Sequence, residues 1–169
     1  MNDAALLPST KEVWHWLTEV PDPEIPVISI VDLGIVRHVA WDGDTLVVDV
    51  TPTYSGCPAA SVINLDIEKH LRGRGIEKLR LERRLSPAWT TDWITNAGRE
   101  KLRAYGIAPP VDGTSACGSH SATRARLDVA CPRCSSTASE KISEFGSTPC
   151  KASYRCTVCL EPFDYFKCI

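Results

Sequence analysis

The chain has 169 residues and eight cysteines, with 19 lysines and arginines against 21 aspartates and glutamates, for a formal charge of −2. That length fits one ordinary domain and one small one. The slight acidity, with a pI near 6.1, gives no basic footprint for nucleic acid and no electrostatic pull toward a membrane surface. No run approaches the ~20 apolar residues of a spanning helix. Residues 1–10 lack the basic-then-apolar order of a secretory signal. A cytoplasmic location is therefore expected. Thiols stay reduced there, so the cysteines read as metal ligands or reactive groups rather than as a disulfide framework.

In chain order, Ser9-Thr10-Lys11-Glu12 matches a capping box. A helix is predicted from there to about Glu19, with Val13, Trp16, Leu17 and Val20 inward. Pro21, Pro23 and Pro26 stop it. Ile28 to Leu33 reads as about one helical turn, ended by Gly34. Ile35 to Trp41 and Thr45 to Val50 read as two strands of a hairpin around Asp42-Gly43-Asp44. A helix over Ala59 to Arg72 follows, with Ala60, Ile63, Ile67 and Leu71 at helical spacing. Ile76 to Leu85 reads as a third strand, and Trp89 to Tyr105 contains a further helix. The order α-β-β-α-β-α predicts an α+β domain over residues 1–108. It would have a small three-stranded mixed sheet, the crossover helix letting the second and third strands run parallel. Residues 109–124, rich in Pro, Gly, Ser and Thr, read as a linker.

Residues 125–169 are too few for an independent core and need a staple. Cys131-Pro132-Arg133-Cys134 and Cys156-Thr157-Val158-Cys159 supply one, two C-x-x-C turns separated by 21 residues. A two-residue spacer lets both sulfurs of a tight turn face one ion, and two such turns complete a tetrahedron. The surrounding segments, 125–130, 140–145, 152–155 and 163–167, suit strands, so an all-β zinc ribbon is expected. Zinc and an iron–sulfur cluster take the same ligands, and both stay open here. Cys150 and Cys168 read as small buried residues, with replacement of a ligand, or a second soft-metal site formed by the two, as the alternatives. Cys117 and His120 form a C-x-x-H pair in the linker, a pattern that more often binds nothing.

The remaining cysteine, Cys57, stands in Tyr54-Ser55-Gly56-Cys57-Pro58 just ahead of the second long helix. Pro58 suits a first helical position, which makes Cys57 the expected N-cap with a thiol acidified by the helix terminus. A buried structural cysteine is the equal alternative on local physics. Asp22 and Glu24 read as solvated loop acids. No hydrolase nucleophile elbow, P-loop or dinucleotide fingerprint is present.

Asp22-Pro23-Glu24-Ile25-Pro26, Ile30-Val31-Asp32-Leu33-Gly34-Ile35-Val36 and Thr51-Pro52-Thr53-Tyr54-Ser55-Gly56-Cys57-Pro58 resemble the SufT-like iron–sulfur assembly domain, over roughly residues 9–107. Pro87-Ala88-Trp89-Thr90-Thr91-Asp92-Trp93-Ile94 and the ending Phe163-Asp164-Tyr165-Phe166-Lys167-Cys168-Ile169 narrow this to the PaaD family of bacterial phenylacetate degradation. The resemblance implies an accessory protein with no catalysis of its own, a maturation factor for the metallocentres of the phenylacetyl-CoA epoxidase complex. A stoichiometric structural subunit of that complex is the alternative. It further implies Cys57 as reactive thiol or transient ligand for iron or a cluster, with Asp22, Glu24, Thr51 and Thr53 around it. Implied partners are the epoxidase subunits, including the iron–sulfur reductase, and cluster carriers or scaffolds. Neither nucleic acid nor a membrane is among them, and homodimerisation is left open.

Overall fold

The computed structural model describes residues 7–54, 56–111 and 128–167. Cys117, His120, Cys168 and most of the expected linker lie outside the described residues. The chain divides into two compact units, Met1–Trp89 and Thr90–Ile169.

In the first unit, α1 spans Thr10–Leu17. Its capping box forms as the sequence predicts. The Ser9 hydroxyl accepts from Glu12 N at 3.2 Å, and the Ser9 N–H donates to Glu12 Oε2 at 2.8 Å. Such a cap contributes about 0.5–2 kcal/mol. Val13 and Leu17 are fully buried, while Trp16 is half-buried beneath the Arg74 guanidinium. Strands β1 (Val36–Asp42) and β2 (Thr45–Val50) pair antiparallel. α2 (Ala60–Gly73) crosses over to β3 (Leu79–Arg83), which pairs parallel with β2. The sheet order β1-β2-β3 is the mixed sheet expected. β2 sits in the middle, and Leu46, Val48 and Val50 on one of its faces are all buried. α2 buries Ile63, Ile67 and Leu71 at helical spacing, and α1 lies against both α2 and β1.

Between α1 and β1 the chain forms a compact loop that ends in the one helical turn expected, Leu33 N donating to Ser29 O at 3.0 Å and Gly34 leaving it at φ 70°. Asp22 N donates to Ile28 O, and Ile30 N to Val20 O, which folds residues 20–30 back on themselves. Ile25, Ile28, Ile30 and Leu33 anchor it in the core. Ser29 and Asp32 close a local box, Asp32 N donating to Ser29 Oγ at 3.0 Å and Ser29 Oγ to Asp32 at 2.9 Å. The Trp89 indole N–H donates to Leu33 O at 2.9 Å.

The second unit begins with a 3-10 turn, Thr91–Trp93, and α3 (Asn96–Ala104), the helix expected within Trp89 to Tyr105. Thr95 caps α3 by accepting from Gly98 N. Strand β4 (Ile107–Ala108) pairs parallel with β7 (Pro162–Phe166), which pairs antiparallel with β6 (Lys151–Cys156), itself paired with β5 (Ser139–Ser143). The sequence assigns α3 and residues 107–108 to the first domain. Here α3 lies against β4, and β4 is an edge strand of the ribbon sheet. The expected first strand, 125–130, falls partly outside the described residues, and 128–130 are not strand. Tyr154, Phe163 and Tyr165 form the aromatic centre, packed with Ala108, Val129, Ala152 and two of the cysteines.

Candidate metal centre and the Cys57 loop

Cys131, Cys134, Cys156 and Cys159 bring four sulfurs within 4.8 Å of one another. Cys131 Sγ is 3.7 Å from Cys159 Sγ, and Cys134 Sγ is 3.6 Å from Cys156 Sγ. A tetrahedral site with Zn–S near 2.3 Å has an S···S edge of about 3.8 Å. The thiols therefore fit zinc on geometry as well as donor type.

The two turns that carry them repeat each other. Cys131 N donates to Ser136 O, and Cys156 N to Glu161 O, both at 2.9 Å. The residue after each second cysteine is left-handed, Ser135 at φ 60° and Leu160 at φ 63°. This reversal turns the chain back after the second cysteine of each turn. Cys159 N donates to Cys156 Sγ at 3.4 Å. That N–H, with the Val158 N–H, outweighs burial and holds the Cys156 thiol below its ordinary value. Such donors favour the thiolate a metal needs. Four protein sulfurs leave no coordination position open, so a bound ion would supply structure to the ribbon rather than chemistry.

Cys150 is buried but stands outside the four-thiol group, with its sulfur 3.0 Å from Thr148 Oγ1. Among the described residues it is a buried side chain apart from the four-thiol group.

Cys57 corrects one expectation. The N-cap of α2 is Ala59, and Cys57 lies two residues earlier in a turn closed by Cys57 N to Tyr54 O and Ala60 N to Cys57 O. The thiol is half-buried, and burial pushes it above its ordinary value. The negative charges of Glu24 and Asp22 push it further, while the Ala59 N–H and the Thr53 hydroxyl pull it back without reversing the shift. The expected acidification fails because burial of the thiol, helped by the charges of Glu24 and Asp22, outweighs the one backbone N–H at the helix start and the Thr53 hydroxyl.

The fold thus brings Asp22, Glu24, Thr53 and Cys57 into one neighbourhood. Asp22 is buried, not the solvated acid expected, and its Oδ1 accepts from Glu24 N at 2.9 Å and Ile25 N at 2.8 Å. It shapes the loop that carries Glu24. Thr51 is buried at the end of β2, its N–H on Ile35 O at 2.8 Å, and is not among the groups that shift the thiol. The Ala59 N–H has no signature in sequence. The left-handed Ser135 and Leu160 have none either, since neither is Gly or Asn.

Comparison with known proteins agrees with both halves. The family described as iron-sulfur cluster assembly protein matches residues 10–78, and the PaaD zinc beta ribbon domain matches residues 115–167. An Escherichia coli strain K12 protein, named as one subunit of a "Putative 1,2-phenylacetyl-CoA epoxidase", is 49% identical, covering 96% of this chain and 94% of its own. An Fe-S protein maturation auxiliary factor of Porphyromonas gingivalis is 31% identical, covering 57% of this chain and 92% of that one. The crystal structure of a domain of unknown function from Bacillus anthracis superposes with a TM-score of 0.52 at 27% identity, covering 55% of this chain and 90% of that one. Among the described residues no helix is long and apolar enough to cross a membrane. At 49% identity over nearly the full length of the Escherichia coli protein, the chain belongs to the PaaD family, an iron–sulfur cluster assembly domain followed by a PaaD zinc beta ribbon.

Proposed function

We propose that the chain is a maturation factor that helps install or repair a metallocentre of phenylacetyl-CoA epoxidase, and that it has no catalytic activity of its own. The reading rests on the half-buried Cys57 thiol set beside Glu24, Asp22 and Thr53 in a domain matching iron–sulfur cluster assembly proteins. One soft sulfur beside two carboxylates suits a cation held briefly and passed on, because a single thiolate is a weak site. Iron, or a cluster containing it, is the cargo in this reading. Its partners are the epoxidase subunits, among them the iron–sulfur reductase, and a cluster carrier or scaffold. The ribbon, stapled by zinc on Cys131, Cys134, Cys156 and Cys159, docks the target. The place of action is the cytoplasm, where these thiols stay reduced.

A Cys57→Ser chain should fold and keep its zinc. Epoxidase recovered from cells carrying it should contain less iron and turn over more slowly. Normal iron content and activity in that strain would sink the proposal. The naming of the Escherichia coli relative as a subunit favours a second reading, a stoichiometric structural component of the complex. Co-purification at a fixed ratio through turnover, with Cys57→Ser fully active, would establish that alternative.

A further inference from the structure

We propose that the four-thiol centre is also an oxidation site, at which a hydroperoxide takes Cys134 first and Cys156 then closes on it as a disulfide. Access and distance carry the inference. Cys134 is the exposed member of the four, Cys159 is half-buried, and Cys131 and Cys156 are buried. Cys134 is therefore the residue of the four that an oxidant from solvent approaches first. The thiol 3.6 Å from it is Cys156, across the site on the other turn. The remaining pair, Cys131 and Cys159 at 3.7 Å, likewise crosses between turns. Joining the sulfurs of one C-x-x-C turn would instead have to rework a turn whose backbone bonds and left-handed exit hold both sulfurs toward a common centre.

With hydrogen peroxide the step balances. The Cys134 thiolate attacks one peroxide oxygen, the O–O bond breaks, a sulfenic acid forms and hydroxide leaves. The Cys156 thiolate then attacks that sulfur, the S–S bond forms, the S–O bond breaks and a second hydroxide leaves. Two thiolates give up two electrons, and one peroxide becomes two hydroxides. The site keeps only two of its four thiolate donors. Cys131 and Cys156 also belong to the ribbon's apolar core, so the change reaches the packing around Tyr154 and Phe163. The centre would then act as an off-switch for the ribbon, independent of what Cys57 does.

The test uses the zinc-loaded full-length chain and limiting hydrogen peroxide, quenched with N-ethylmaleimide. Peptide mapping without reductant follows the disulfides, and a chromogenic chelator follows zinc. The Cys134–Cys156 link should appear first, rise together with zinc release and reverse with dithiothreitol. Cys134→His keeps a zinc donor but has no sulfur to oxidise, so its zinc release should slow at least about tenfold. A first link within either C-x-x-C turn, zinc release without a disulfide, or release from Cys134→His at the wild-type rate would overturn the proposal. If Cys134→His fails to hold zinc, the mapping of the wild-type chain decides alone.

Discussion

Ser135→Gly should tighten zinc binding, and the reason lies in one backbone angle. Ser135 has φ 60° and is exposed, following Cys134 directly. An L-residue in this region costs about 1–2 kcal/mol, because its Cβ crowds the following carbonyl. Glycine removes that cost, though its freer unfolded chain takes back about 0.5–1 kcal/mol. The net gain is about 0.5–1 kcal/mol. Ser135→Val moves the other way, since a β-branched side chain fits this region worst. A spread of about 2 kcal/mol separates the two variants, and folding of a small ribbon is linked to metal binding, so zinc affinity should differ by about 25-fold. Leu160 is a poorer test, because its side chain is 59% exposed and truncation would discard some burial along with the strain. Competition against a chromogenic chelator measures the affinity, and thermal melts with zinc present provide a second reading. Glycine and valine variants within about twofold of each other would refute the argument, since the strain at this angle alone should separate them by more than that.

Two further outcomes follow from the first unit. Ile67 is fully buried on the inner face of α2, so Ile67→Ala should cost about 2–5 kcal/mol in urea unfolding, with alanine's helix propensity returning a few tenths. Zinc affinity should not change, as all four ligands belong to the other unit; a matching loss of zinc would show the two units to be coupled. Alkylation of Cys57 by iodoacetamide, followed by peptide mass spectrometry, should rise with an inflection above the ordinary thiol value of 9.0, and Glu24→Gln should bring it down. The sign is that of a group holding its proton longer when folded: stability falls as pH rises past the unfolded thiol value. An inflection below that of free cysteine would contradict the described surroundings of the thiol.

Local pattern determined much of this protein. The Ser9 capping box, the period-2 run of β2, the helical spacing of Ile63, Ile67 and Leu71, and the paired C-x-x-C turns are short-range signals. Each reports its own element, because hydrogen bonding and side-chain facing within a few residues suffice to define it. What the sequence left open needed contacts between distant residues. Ile107–Ala108 is too short to show any period and is a strand only because β7 lies beside it. Cys57 reads alone either as a helix-cap thiol with a lowered pKa or as a buried structural cysteine. The folded chain buries the thiol, moves the cap to Ala59 and brings up Glu24 and Asp22 from more than thirty residues away, so the thiol is held above its ordinary value. Charge acts through space and burial depends on everything around a group, so the chemistry of this thiol was decided by the tertiary structure alone.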